Sequence, residues 1–184
     1  MDIWRFYQQI NKLKSLQRTG WVERGVKDAE NVAGHSFMTA VLCMLLAPKG
    51  IDRDKAIKMA IVHDFAESIT GDIIIKDYWK EGGTMTREEK AGKERKAIKE
   101  LISMLEKDKA DETLGLWREF EANDTPEAKF VNNIDRMEPI LQAIEYHKEK
   151  NHEKPLESFW DNKALSRIKD EKIKKLVLDI IEKA

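Results

Sequence analysis

The 184-residue chain contains one cysteine, Cys43, and only four prolines and four histidines. A single thiol excludes an intrachain disulfide and any metal site built from several cysteines. Cys43 lies inside the apolar run Ala40–Ala47 and reads as a small buried thiol. That run is far short of the roughly 20 residues needed to cross a bilayer. Met1–Phe6 lacks the apolar stretch of a signal peptide, so a cytoplasmic location is expected. Neither sign of charge dominates: 33 Lys+Arg stand against 34 Asp+Glu, a net charge of −1. The chain therefore has no overall field for holding nucleic acid or an anionic membrane, and neither is expected as a partner. It also lacks a GxSxG elbow, a P-loop, a Gly-rich dinucleotide motif and any long-period internal repeat.

What is present is charge and helical periodicity. Charged residues make up 36% of the chain, against about 25% in an average domain. They are interleaved with regularly spaced apolar residues, which argues against disorder. This balanced Lys/Glu enrichment resembles the ion-paired surface of a thermophile's protein. Hydrophobic residues at 41% suffice for a core, and the length fits a single domain over residues 1–184.

The spacing predicts helices over about 2–17, 31–47, 52–67, 86–107, 111–123 and 126–148, then two shorter ones, the last over 170–183. Phe37, Met38, Val41, Leu42, Leu45 and Leu46 form the expected apolar face of the second helix. The third is apolar almost all round and is expected to be central. Residues 71–84 read as a loop long enough to cover a site. No convincing strand appears, so the expected fold is an all-α bundle.

Against this background a few ionisable residues stand out. His35 shares the apolar side of its helix with Met38, Thr39 and Leu42. His63-Asp64 ends the most apolar helix, and Asp135 interrupts an apolar stripe of Phe130, Val131, Ile134, Met137 and Leu141. Each has an ordinary explanation: a satisfied core histidine, a surface carboxylate, an ion pair with Arg136. Taken together, two imidazoles and two carboxylates on separate core-bound helices make a mixed N/O shell. Such a shell suits Mn, Co, Ni, Fe or Zn and leaves positions open for water and substrate.

The motifs go further. Arg18-Thr19-Gly20-Trp21-Val22-Glu23-Arg24, then Glu30-Asn31-Val32-Ala33-Gly34-His35, then His63-Asp64-Phe65-Ala66-Glu67-Ser68-Ile69-Thr70-Gly71-Asp72 and Asn133-Ile134-Asp135-Arg136-Met137, resemble the HD-domain metal-dependent phosphohydrolases. Within that family they are most similar to the 5'-deoxyribonucleotidase branch and to archaeal oxetanocin-like HD proteins. The resemblance implies one HD domain whose metal site lies between core helices. It implies His35, His63, Asp64 and Asp135 as ligands of one divalent ion, with Mn, Co, Ni or Zn ahead of Mg. Glu67 would be the acid/base or water-orienting carboxylate and Asp72 the second catalytic carboxylate. Arg18 would hold the phosphate, with Arg24 as its rival, and Trp21 would pack against the nucleotide. Two positions depart from the pattern: Gly34 stands where the family often has Glu, and Thr19-Gly20 separate Arg18 from Trp21.

The implied reaction is hydrolysis of deoxyribonucleoside 5'-monophosphates. Alternatives are another HD-type nucleotide (pyro)phosphohydrolase and a non-catalytic, metal-stabilised nucleotide-binding protein. Dinuclear members use extra histidines, whereas His147 here lies twelve residues beyond Asp135, about 18 Å along a helix. A homodimer or higher homo-oligomer is expected from the family. Trp79, Trp117 and Trp160 could serve an interface or the core.

Overall fold

The computed structural model of the chain describes residues 1–75 and 85–184. Ten α-helices are present among them: α1 (Ile3–Ile10), α2 (Thr19–Glu23), α3 (Val32–Leu46), α4 (Arg53–Val62), α5 (Glu67–Thr70), α6 (Arg87–Ile102), α7 (Lys107–Ala122), α8 (Pro126–Glu149), α9 (Asn162–Leu165) and α10 (Glu171–Ile181). Isolated bridges join Gln17 to Asn31 and Ile75 to Met85, and no sheet forms among the described residues. The fold is all-α, as expected. The loop expected to cover a site falls mostly outside the described residues, as does Trp79.

Local chemistry sets the helix starts. The Asn31 side chain accepts the Gly34 N–H at 2.8 Å, Asp52 accepts that of Lys55 at 3.0 Å, and Thr125 that of Ala128 at 3.2 Å. Thr86 and Glu89 form a reciprocal capping box on α6. Pro126 occupies the first position of α8, where its missing N–H has no intrahelical acceptor to serve.

α8 is the spine. Its buried residues include Phe130, Val131, Ile134, Met137, Ile140 and Ile144. They pack against Ala40 and Cys43 of α3, Ala56, Met59 and Ala60 of α4, and Ile173 and Val177 of α10. Trp117 joins a second cluster with Ile98 and Leu101, while Trp160 packs half-buried against the main core, so core packing accounts for both.

Three helices differ from expectation. The first breaks into α1, a 3-10 turn over Asn11–Lys14 and an extended stretch. Arg18 N–H donates to the Glu30 carbonyl at 2.9 Å and Val32 N–H to that of Leu16 at 2.9 Å. Pairing with residues 30–32 thus takes the backbone groups that a longer helix would have used. The third helix stops at Val62. Beyond it Phe65, Glu67 and Ser68 donate three residues back, to Val62, Asp64 and Phe65, so His63–Ala66 forms a tightened turn. Nor is α4 buried all round, since Lys58 and Ile61 are exposed.

The third difference is the facing of α3. Val32, His35, Ser36, Thr39, Ala40 and Cys43 point inward, while Phe37, Met38 and Leu45 are exposed. Small inward residues let α3 approach α4, whose buried face carries Ala56 and Ala60 beside Met59 and Val62. The large side chains of α3 are left outside.

Ile134 is fully buried in α8 beside Asp135. Ile134→Ala should lower unfolding free energy by about 2–5 kcal/mol, read from the denaturant midpoint in urea.

Candidate metal centre

Four side chains from three segments meet at one point. α3 brings His35 in its first turn, the end of α4 brings His63, the turn after it brings Asp64, and α8 brings Asp135. His35 Nε2 lies 3.0 Å from Asp135 Oδ1 and 3.8 Å from Asp64 Oδ2. His63 Nε2 lies 3.1 Å from Asp64 Oδ2 and 3.5 Å from Asp135 Oδ1. Both imidazoles are buried. The sequence expectation grouped these four residues, and the fold brings them together.

The outer nitrogen of each ring is already engaged. His63 Nδ1 is 2.7 Å from the Ala60 carbonyl, which can only accept, so that nitrogen carries a proton. His63 Nε2 then turns into the cluster, buried and without a hydrogen-bond partner. His35 Nδ1 lies 2.6 Å from Glu138 Oε2. A carboxylate behind a ligating imidazole orients it and raises its basicity. A divalent ion fits this donor set: two imidazole nitrogens and two carboxylates converge, and the buried His63 Nε2 forms no hydrogen bond although both carboxylates lie close to it.

Without an ion the cluster holds protons instead. Burial and Arg18 disfavour a charged His35, but Glu138 and Asp135 outweigh them and push it up to about 9. Burial also works against a charged His63, yet Asp64 and Asp135 raise it well above the usual range. Burial would raise Asp64, and His63 reverses this and holds it well below the usual carboxylate range.

Glu138 was not among the residues singled out from the sequence. Its position three residues after Asp135, on the same helix face, was the available signal. Glu30, missed as well, completes this support. Burial, then the charge of Glu138, pushes Glu30 up to about 7. Trp21 Nε1 donates to Glu30 Oε2 at 3.2 Å, and Glu30 N–H donates to the Tyr146 hydroxyl at 2.7 Å. These carboxylates stand behind His35 in a chain that has Gly34 rather than Glu before it.

A cavity of about 950 Å³ opens over the cluster, with Arg18, Trp21, His63, Asp64, Glu67, Asp72 and Asp135 in its walls. Trp21 is almost wholly buried, stacked on Phe159 with ring centroids 4.1 Å apart. Arg18 Nη1 sits 3.4 Å from Asp64 Oδ2. Burial alone would lower its pKa, but Asp72, Asp64, Glu67 and Asp135 together raise it, so it stays cationic. Asp72 accepts the Thr19 N–H at 2.6 Å, and the Thr19 hydroxyl donates to the Asp72 carbonyl at 2.6 Å. The loop after α5 is thereby pinned to the Arg18 segment.

Glu67 is 3% exposed. Its Oε1 is 3.4 Å from Lys90 Nζ, and its Oε2 is buried with no hydrogen-bond partner. Burial, followed by Asp64 and Asp72, raises it well above the usual carboxylate range. That direction favours the protonated carboxyl, the form able to give a proton away. Lys90, also missed from the sequence, bridges Glu67 to the buried Glu94, 3.4 Å from each. His147 and His152 lie elsewhere, stacked on each other at 5.7 Å.

A sequence profile of the HD domain matches residues 10–176. The mouse 5'-deoxynucleotidase HDDC2 is 38% identical over 160 residues, covering 87% of this chain and 77% of its own. The 5'-deoxynucleotidase YGK1 of Saccharomyces cerevisiae is 34% identical over 181 residues, covering 96% and 80%. The crystal structure of the PH0347 protein from Pyrococcus horikoshii OT3 superposes with a TM-score of 0.75 at 33% identity, over 97% of this chain and 96% of that one.

Two outcomes follow for metal binding. Glu138→Gln should weaken divalent-ion affinity by about 10–100-fold in calorimetric titration. In the metal-free protein His35 is raised from 6.5 to about 9. Its stabilising contribution is full below pH 6.5 and gone above pH 9. The urea midpoint of the metal-free protein should therefore fall across that window. Metal binding below pH 9 should release protons, because ion and proton compete for the same nitrogens. A midpoint that rises over the window would contradict the assignment.

Proposed function

The chain belongs to the HD-domain family, and on that premise we propose that it is a divalent-metal-dependent 5'-deoxynucleotidase, converting deoxyribonucleoside 5'-monophosphates to deoxyribonucleosides and phosphate. The observation that carries the proposal is the buried His63 Nε2, which faces Asp64, Asp135 and His35 without forming a hydrogen bond, with the buried carboxyl of Glu67 in the same cavity. Residues 1–184 act as one HD domain, with a nucleotide as substrate.

In this assignment His35, His63, Asp64 and Asp135 hold one ion. Mn, Co, Ni and Zn suit a shell of two nitrogens and two oxygens better than Mg, which favours oxygen donors. When bound, the ion neutralises phosphate charge and acidifies water. Arg18 forks onto two phosphate oxygens and positions the phosphorus. Asp72, held by the Thr19 N–H, orients the attacking water and receives its proton. Water adds at phosphorus, the bond from phosphorus to O5' breaks, and Glu67 delivers its proton to O5'. Lys90 holds Glu67 by one oxygen and leaves the other without a hydrogen bond. Trp21, stacked on Phe159, supports the wall against which the nucleoside packs.

The proposed location is cytoplasmic; among the described residues no helix is long and apolar enough to cross a membrane. The outward face of α3 gives the proposed homodimer its interface: Phe37 is 65% and Leu45 68% exposed, with Met44 between them on the same side. Apolar residues grouped on one helix face are unfavourable in water and are covered by a second copy.

Two measurements test these assignments. Metal-stripped protein should release no phosphate. Added Mn, Co, Ni or Zn should restore release, with deoxyribonucleotides preferred over ribonucleotides. His63→Ala should abolish metal-dependent release, and Glu67→Ala should lower kcat by about 100-fold or more. Release by the native protein no faster than by His63→Ala would sink the assignment. Pyrophosphate from triphosphates would favour the pyrophosphohydrolase alternative, and tight nucleotide binding without product would favour a binding protein. Separately, light scattering should give twice the chain mass for the native protein and the single-chain mass for the Phe37→Glu/Leu45→Glu double variant. A native monomer would refute the dimer.

A further inference from the structure

Glu30 meets three parts of the site from one place in the chain. It lies two residues before α3, in the stretch that pairs with the segment carrying Arg18. Its main chain is held on both sides. The Glu30 N–H donates to the Tyr146 hydroxyl at 2.7 Å, and the Glu30 carbonyl accepts the Arg18 N–H at 2.9 Å. The half-buried side chain therefore leaves from a set point. Arg24, in the wall of the same cavity, is anchored elsewhere: its Nη2 donates to Ser158 Oγ at 3.1 Å.

Toward the cavity, the Glu30 carboxyl accepts the Trp21 indole N–H at 3.2 Å. Trp21 lines the cavity and is 1% exposed. Its ring is stacked on Phe159 with the planes 24° apart, and stands edge-on to Tyr146 with centroids 5.3 Å apart. Such ring contacts hold the indole in its plane, but they do little to fix which edge points where. A hydrogen bond is directional and does fix it. The indole nitrogen can only donate, so it needs an acceptor at this depth. Toward the metal centre, the Glu30 carboxyl hydrogen-bonds that of Glu138. Donor atoms of Glu30, Glu138 and His35 all lie within 4.8 Å of one another. Glu138 Oε2 in turn meets His35 Nδ1 at 2.6 Å.

We propose that Glu30 is a positioning residue for two parts of the site at once, fixing the edge of the Trp21 indole and, through Glu138, the His35 imidazole. The assignment rests on the proposed nucleotidase activity, which puts the nucleoside against the Trp21 wall and the ion on His35. Glu30 itself touches neither. Nucleoside affinity and ion affinity thus share one support. Disturbing Glu30 moves both, whereas the Trp21 N–H answers only for the nucleoside and Glu138 only for the ion.

Two quantities are measured on full-length protein. Mn is titrated calorimetrically into the metal-stripped chain, and phosphate release from deoxyadenosine 5'-monophosphate is followed at saturating Mn. Glu30→Ala should weaken Mn binding by about tenfold, the lower end of the loss seen when a group behind a ligand is removed. It should also raise KM by about tenfold, as loss of one hydrogen bond to a charged group implies. KM should rise more than kcat falls, because the wall contacts the nucleoside before and during reaction alike. Glu30→Gln should restore both quantities, since its amide oxygen accepts from Trp21 and its amide nitrogen donates to Glu138. Trp21→Phe keeps the ring stack but has no N–H. It should raise KM by itself, and in that background Glu30→Ala should add little to KM while still weakening Mn binding. Native Mn affinity in Glu30→Ala, or a KM increase undiminished in the Trp21→Phe background, would overturn the proposal. So would an unchanged KM in Trp21→Phe, whether or not Glu30→Ala folds. No phosphate release by the native protein would sink the nucleotidase activity and the nucleoside half with it. The Mn titration would still decide whether Glu30 positions His35.

Discussion

Two imidazoles and two carboxylates face one another at 3.0 to 3.8 Å in the interior of a helical bundle. Everything else in the structure accommodates that arrangement. Isolated charges at such burial are costly, and only mutual pairing, protons or an ion make them tolerable. The surroundings therefore show what the cluster needs. The Ala60 carbonyl and Glu138 fix the two rings from behind. Small residues on α3 and α4 let two helices approach closely enough for their histidine rings to stand 5.4 Å apart.

The same constraint explains the oddities of α8. Pro139 lies inside the helix, four residues after Asp135, and cannot donate the hydrogen bond that the Asp135 carbonyl would accept. A helix that was only a spine would have little use for this interruption, nor for Glu138 buried beside it. α8 carries the core on most of its length and the support of His35 on one short stretch.

Much of this was legible in the sequence, and the rest was hidden for physical reasons. His35, His63, Asp64 and Asp135 were visible as ionisable residues breaking apolar stripes, and the HD motifs gave them a context. The all-α fold followed from apolar spacing. The facing of α3 was not legible. Apolar periodicity points the largest side chains inward, yet close packing on α4 favours Ala40 and Cys43 there and leaves Phe37 and Leu45 outside. The break after Val62 was equally hidden, because it consists of backbone bonds shortened from four residues to three. Glu30 acts across the fold, and Lys90 reaches Glu67 across it, so its spacing to Glu94 along α6 announced only half of its role.

The distance along the chain between cluster members bears on how the protein is made. His35 and its partners Asp135 and Glu138 are separated by 100 and 103 residues. At a synthesis rate of roughly 5–20 residues per second, His35 leaves the ribosome several seconds before either acid exists. During that interval, of the four proposed ligands, the nascent chain holds only His35, His63 and Asp64, on α3 and at the end of α4. On the proposed ligand set, a chain truncated before α8 would keep His35, His63 and Asp64 but lack Asp135 and the Glu138 that backs His35.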